Sequence, residues 1–342
     1  MVEVQKMEIK GEQEAAACNR LNFGAVVIGR NEGNRLKTCL ASLSGARAIV
    51  YVDSGSTDGS VQMARAQSVD VVELDLNIPF TAARARNAGF ARLQTIAPDV
   101  PYVQFVDGDC EIIARWPHEA VSFLESQPNI AAVCGRLRER NPDRSIYNWL
   151  CDREWNGPVD EVRSCAGNVM IRVYALNAVG GYREDVIAAE EDELCVRLRA
   201  ANWRIWRLRN EMGLHDAAMV HLSQWWKRSL RAGYAFAQGA YLHGKRPERH
   251  FVWERNRALL WGSLIPILCF VTAISLHPWG WASWLIYFLQ LLRQTSRQTG
   301  SLADRFSLSF FQLLGRFPES LGVIKFARDK LFNYSAHIIE YK

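Results

Sequence analysis

The residues best suited to chemistry are two aspartates one glycine apart, Asp107-Gly108-Asp109. They close the run Tyr102-Val103-Gln104-Phe105-Val106, whose β-branched and aromatic content predicts a buried strand. Carboxylates at a strand's end lie where open α/β sheets bind ligands. Two hard oxygen donors on so short a turn can take part of the shell of Mg2+ or Mn2+ and leave positions for phosphate oxygens. The plainer reading is an acidic turn that closes a strand. A second acidic group, Glu190-Glu191-Asp192-Glu193, precedes Leu194 and Leu198 at helical spacing, so its carboxylates fall in a first turn and complement the helix dipole. His215, in Met212-Gly213-Leu214-His215-Asp216, is either a hydrogen-bonded core histidine or a metal ligand.

The elements that must position these groups follow from periodicity. Phe23 to Ile28 predicts a first strand, running into the polar loop Gly29-Arg30-Asn31-Glu32-Gly33 and then a helix marked by Leu36, Cys39, Leu40 and Leu43. Ala48 to Val52 predicts a second strand, ending in Asp53-Ser54-Gly55-Ser56-Thr57-Asp58-Gly59-Ser60. A loop of short polar residues and glycines offers acceptors and exposed N–H groups to a base, a ribose or a phosphate. Val69 to Leu74 predicts a third strand, and Thr81 to Gly89 a small-residue helix whose Arg84 and Arg86 could reach a diphosphate. A helix over 117–127, a strand over 130–137, an irregular aromatic-rich stretch through Trp149 and Trp155, and a strand over 204–208 complete this half. Alternating strands and helices predict an α/β fold with a largely parallel sheet. Neither a Gly-x-Gly-x-x-Gly nor a Walker-type glycine pattern is present.

Four blocks in order and spacing resemble family 2 glycosyltransferases of the GT-A fold: Val27-Ile28-Gly29-Arg30-Asn31-Glu32, Val52 to Ser60, Ala83-Arg84-Ala85-Arg86-Asn87-Ala88-Gly89, and Phe105-Val106-Asp107-Gly108-Asp109. The resemblance continues to about residue 239, through Ser164 to Arg172 and Val179 to Tyr182. It implies that Asn31, Glu32, Asp53, Ser54 and Gly55 hold the nucleotide, that Arg84, Arg86 and Asn87 approach ribose and diphosphate with Asp107, and that Asp107, Asp109 and His215 bind Mg2+ or Mn2+. It implies further that an acid at the start of the Leu194 helix takes the proton from the acceptor hydroxyl. Alignment on Leu194-Cys195-Val196-Arg197-Leu198 puts that role on Glu191, with Asp192 and Glu190 as alternatives. The activity so implied is inverting transfer of a sugar from a nucleotide-diphosphate donor, commonly UDP-linked, to a lipid-linked or saccharide acceptor. The setting implied is surface polysaccharide or glycolipid synthesis in a bacterium.

The chain has 342 residues and a net charge of +5, an ordinary globular composition with no nucleic-acid-binding motif or dense basic patch. Eight cysteines, from Cys18 to Cys269, include no Cys-x-x-Cys pair and read as reduced core residues. The N-terminus carries no apolar core of signal-peptide length. We divide the chain into a lead-in over 1–21, a catalytic domain over 22–245 and a membrane-associated region over 246–342. In the last, 258–275 and 279–292 are apolar, and arginines before and after the pair put both flanks on the cytoplasmic face of the inner membrane. A re-entrant hairpin and buried soluble helices are the rivals; Phe306, Phe310, Phe311, Leu314 and Phe317 add an amphipathic face suited to membrane lipids. Gln224-Trp225-Trp226-Lys227-Arg228 lacks the order of the processive Gln-x-x-Arg-Trp motif, which favours transfer of a single sugar. Two other classes compete. A membrane-anchored scaffold that only binds nucleotide-sugar would not need both the metal pair and the glutamate, and a sugar-nucleotide pyrophosphorylase would need a glycine-rich loop after the first strand, where Arg30-Asn31-Glu32-Gly33 stands.

Overall fold

The computed structural model describes residues 21–334, so the lead-in, apart from Leu21, and Cys18 lie outside the described residues. The chain divides into two units. The first comprises the residues up to Asn141, Asp152–Glu184 and Glu190–Ala217; the second comprises Pro142–Cys151, Asp185–Ala189 and the residues from Ala218 onward.

In chain order the first unit begins with strand β1 (Phe23–Gly29), helix α1 (Asn34–Ser42), β2 (Ala48–Asp53), α2 (Ser60–Ala66), β3 (Asp70–Glu73), α3 (Ala82–Ile96) and β4 (Tyr102–Asp107). These four strands lie in the order β3-β2-β1-β4, all parallel, as short helical crossovers require. β5 (Cys110–Ile112), α4 (Trp116–Ser126) and β6 (Ile130–Glu139) follow. After α5 (Ile146–Glu154) come β7 (Asp160–Val162), β8 (Val169–Arg172), α6 (Val173–Ala178), α7 (Glu190–Ala200) and β9 (Arg204–His215). β8 joins β4 and β6 antiparallel, β9 runs parallel to β6, and β5 and β7 pair with β9 antiparallel. The result is one mixed nine-stranded sheet whose parallel part is the first four strands and the β6–β9 pair.

Register fixes where ligands can bind. Gly29 pairs with Asp53, Asp53 with Glu73, and Ile28 with Asp107, so the loops that leave β1, β2 and β4 emerge side by side. β1 is buried along nearly its whole length, and Phe23, Phe105 and Leu36 are wholly buried. Each such side chain contributes about 1.5–3 kcal/mol. The one polar residue inside β4, Gln104, is satisfied: its Oε1 accepts from Trp116 Nε1 at 2.9 Å and its Nε2 donates to the Phe105 carbonyl. α3 is capped by Thr81, whose Oγ1 accepts from the Arg84 N–H at 3.1 Å.

The stretch through Trp149, irregular by its sequence pattern, is the helix α5. Its first turn is held by Ser145, whose Oγ accepts from the Asn148 N–H at 3.0 Å. In the second unit a 22-residue helix, Leu222–His243, packs closely on Arg316–Leu331: a Cβ on Gly233 would run into the Glu319 carbonyl, and one on Gly322 into that of Leu230. The apolar run over 258–275 lies within a continuous helix, Val252–Ser275, long and apolar enough to cross a membrane. Its turn Leu260–Leu264 is π-helical just before Pro266, where the ring would otherwise meet the helical ladder. The run over 279–292 divides into a 3-10 turn, Trp279–Trp284, and a helix, Leu285–Arg297.

Gly89 is the contact that seats α3 on the sheet. A Cβ there would overlap Val26 Cγ1 and come within 2.7 Å of Val52 Cγ2, and β-branched valines inside strands have little rotamer freedom to yield. Gly89→Ala is expected to cost about 1–3 kcal/mol by overpacking, read as a lower urea midpoint with an unchanged slope.

Candidate active site

Three of the acids singled out in the sequence converge on one guanidinium. Arg86, in the second turn of α3, is 2% exposed. Its Nη1 donates to Glu190 Oε1 at 2.6 Å and its Nη2 to Asp107 Oδ1 at 2.9 Å, and Nη2 forms an ion pair with Glu191 Oε1, also at 2.9 Å. The Tyr182 ring lies 5.6 Å below the guanidinium carbon. Glu190 and Glu191 are there because α7 starts at residue 190 and points its acidic first turn at this point, with Arg197 and Arg199 in its last turn completing the dipole match. A buried cation beside three carboxylates leaves an excess of negative charge. Burial first, then the charge of Glu190, push the Glu191 carboxyl up from 4.5 to about 8, with Asp107 adding to the effect and Arg86 opposing it. Asp192 follows at the next position of α7, half-buried.

A second group forms where β5 meets β9. His215 Nε2 lies 3.1 Å from Asp109 Oδ2, and the imidazole stacks on Trp155 with centroids 4.6 Å apart. His215 Nδ1 is buried with no hydrogen-bond partner. Asp109, Cys110 and His215 offer an oxygen, a sulfur and a nitrogen that all lie within 4.8 Å of one another. An O and N donor pair at contact distance, with a buried ring nitrogen left over, fits a divalent cation. The surrounding field is negative: burial raises the Cys39 thiol well above its ordinary value, and Asp109, Asp107, Glu32 and Glu111 raise it further. Asp107 does not join Asp109 and His215 directly; its Oδ1 is held by Arg86.

Asn168, which the sequence reading passed over, links the two groups. Its Oδ1 accepts from the Asp107 N–H at 3.1 Å, while its Nδ2 lies 3.5 Å from Asp107 Oδ2 and 3.4 Å from Cys110 Sγ. The preceding Gly167 leaves room for the cluster: a Cβ there would overlap Arg86 Nη2 and approach Glu191 Oε1 at 2.8 Å and Asp107 Oδ2 at 3.2 Å. Glu139, opposite His215 in the sheet, was also passed over; it is buried and accepts from the Asn141 and Ala217 N–H groups. The only local signals for these residues are a small Gly-Asn pair before a strand and an acid ending one.

The remaining candidates organise loops. Asp53 is buried, its Oδ2 accepting from the Gly55 and Ser56 N–H groups at 2.9 and 2.8 Å and its Oδ1 from the Tyr51 hydroxyl at 2.8 Å. Ser54 is buried beside it. Asn31, at positive φ, accepts from the Thr57 N–H at 2.7 Å and donates its own N–H to Ser56, joining the loops after β1 and β2. Glu32 pairs with Arg35 at 2.7 Å. Arg84 turns away from Arg86 and donates to the carbonyls of Asp75 and Ile78. Asn87 clasps the backbone of Tyr182, accepting its N–H at 2.8 Å and donating to its carbonyl at 2.8 Å, while Nδ2 also reaches Glu184 Oε1 at 3.0 Å.

Three comparisons bear on this arrangement. Residues 25–172 match the model of glycosyl transferase family 2, a span that holds both aspartates, Arg86 and Asn168. Among solved structures, the chain is similar to the mannosyltransferase PcManGT from Pyrobaculum calidifontis, in complex with GDP-Man and Mn2+: 18% identity over 92% of this chain and 88% of that one, with a TM-score of 0.55. It also matches glucosyl-3-phosphoglycerate synthase from Mycobacterium tuberculosis at 19% identity over 68% of this chain and 84% of that one, TM-score 0.48. No curated protein sequence matches significantly.

The Glu191 shift makes a stability prediction whose sign is fixed. Between 4.5 and about 8 the native carboxyl keeps a proton that the unfolded chain has lost, so raising the pH through this window costs the native state. Glu191→Gln removes that cost. The melting temperature of the variant relative to the parent is expected to rise as pH increases through the window and to level off above it.

Proposed function

We propose that this chain, whose residues 25–172 match glycosyl transferase family 2 and whose fold is similar to that of a solved mannosyltransferase, is a family 2 glycosyltransferase that transfers a sugar, with inversion, from a nucleoside-diphosphate donor to a hydroxyl of a lipid-linked or saccharide acceptor. The observation that carries this reading is the meeting of Asp107, Glu190 and Glu191 on Arg86 at the end of β4, beside Asp109 and His215. Donor and acceptor chemistry would then meet at the end of the sheet. The loops organised by Asn31 and Asp53, with their N–H groups and short side chains, suit the nucleotide, and a divalent cation on Asp109 and His215, Mg2+ or Mn2+ in type, would supply positive charge to the departing diphosphate.

The protein's own part is proton transfer and orientation. Glu191 is the base: it accepts the acceptor hydroxyl's proton as that oxygen attacks the anomeric carbon from the face opposite the nucleotide. A carboxylate held near neutrality is a stronger proton acceptor than a free one, and Arg86 keeps its oxygen oriented while Glu190 supplies repulsion that raises its basicity. Asp107, tied to Arg86 and to Asn168, keeps the donor side in register with the base. The apolar helix Val252–Ser275 supports attachment to a membrane, and with the arginines flanking it a cytoplasmic active site that meets membrane-borne acceptors in surface polysaccharide or glycolipid synthesis.

Several measurements test this. A screen of nucleotide-sugars for release of UDP or GDP by detergent-purified protein identifies the donor; with it, Glu191→Gln should lower kcat by about 10²–10⁴ while donor binding by calorimetry stays near that of the parent. In the parent, kcat/KM should climb with pH and bend over near about 8, because the base works only once deprotonated. Glu191→Gln retaining full turnover would reject the assignment. Independently, Asp109→Ala should abolish the cation dependence of donor binding, and a variant that still binds donor better with Mn2+ than with chelator would remove Asp109 from the cation site.

A further inference from the structure

Cys110 stands where a small apolar residue would serve equally well as filler, yet three observations point its sulfur at the cation site. Cys110 and His215 are direct partners in the antiparallel β5–β9 pair, so their side chains leave the sheet on the same face. Cys110 Sγ lies 3.6 Å from Asp109 Oδ1, and the three donor atoms of Asp109, Cys110 and His215 all fall within 4.8 Å of one another. Donor bonds of about 2.0–2.3 Å span distances of this order with small side-chain rotations. The sulfur is also supported from behind: Asn168 Nδ2 points an amide N–H at it from 3.4 Å, the kind of outer contact that favours a thiolate.

We propose that Cys110 Sγ is a third protein donor to the cation held by Asp109 and His215, giving an oxygen, nitrogen and sulfur site that takes a borderline transition-metal ion in preference to Mg2+. The inference rests on the reading of Asp109 and His215 as a cation site. Mg2+ demands octahedral oxygen and sheds water reluctantly, whereas a thiolate beside an imidazole suits Mn2+, Fe2+, Co2+ or Zn2+ increasingly well. When the sulfur–metal bond forms, the S–H proton passes to water; nothing is oxidised or reduced. Because Asn168 also holds Asp107, the ion's third donor and the Arg86 cluster share one amide.

Co2+ is the probe, because a thiolate ligand gives it a charge-transfer band in the near ultraviolet. The full chain in detergent, titrated with Co2+ without oxygen, should develop that band at one ion per chain, and a large excess of Mg2+ should not erase it. Cys110→Ser should lose the band and bind Co2+ on the order of tenfold or more weakly. Cys165→Ser should keep it, which guards against binding at the sulfur pair of Cys165 and Cys195, 3.4 Å apart. A visible Co2+ spectrum that His215→Ala removes but that never carries the charge-transfer band overturns the role of Cys110 and leaves the cation site standing. A band that persists in Cys110→Ser overturns it equally. Failure of the parent to bind either Co2+ or Mn2+ would overturn both.

Discussion

Arg86 is the residue that the rest of the site answers to. A guanidinium removed from water loses several kcal/mol of hydration that only well-placed partners return, and here the partners come from β4 and α7, elements far apart in sequence. The charge sum then has chemical consequences. Burial first, and then the charge of Glu190 that one guanidinium does not fully offset, raise the Glu191 carboxyl and favour its protonated form. The cluster that ties helix, strand and loop together therefore also holds Glu191, the group we propose as the base.

Negative charge is also kept from collapsing the neighbouring group. Asp109 is not drawn to Arg86; it faces His215, and His215 is pinned by the Trp155 ring on its face. Asn168 separates the two groups and hydrogen-bonds to both, donating and accepting through a neutral amide that adds no charge to an already anionic edge. An aspartate in its place would have the same shape and the wrong sign.

Much of this was legible in the sequence, and most of the exceptions share a cause. Strand β4 ending in Asp107-Gly108-Asp109, the loops after β1 and β2, and an acidic first turn for α7 follow from local pattern, and the structure has them all. What the pattern could not reveal is which distant groups meet. The pattern around Arg86 shows a group that could reach a diphosphate but not its buried partner Glu190, 104 residues away. Asp109 and His215 are 106 apart, and their pairing depends on β5 folding back along β9. Trp155, in a stretch whose pattern gives it no partner, stacks on His215 from a distant strand. α5 was missed for a different reason: its apolar residues, Ile146, Tyr147, Trp149, Leu150 and Cys151, crowd together without marking one helical face, and a single serine supplies the start signal.

The clasp of Asn87 on Tyr182 has a consequence of another kind. With one side-chain amide this residue reproduces both bonds of a sheet ladder rung, and its nitrogen faces two acceptors, the Tyr182 carbonyl and the Glu184 carboxylate. Hydrolysis of that amide, the slow chemical ageing to which asparagines are prone, would turn the donor into a second anion pressed against them. The segment leading to Glu190 would come loose from α3 while every acid of the cluster stayed intact, so a preparation losing activity on storage would gain one negative charge before it lost any of its secondary structure.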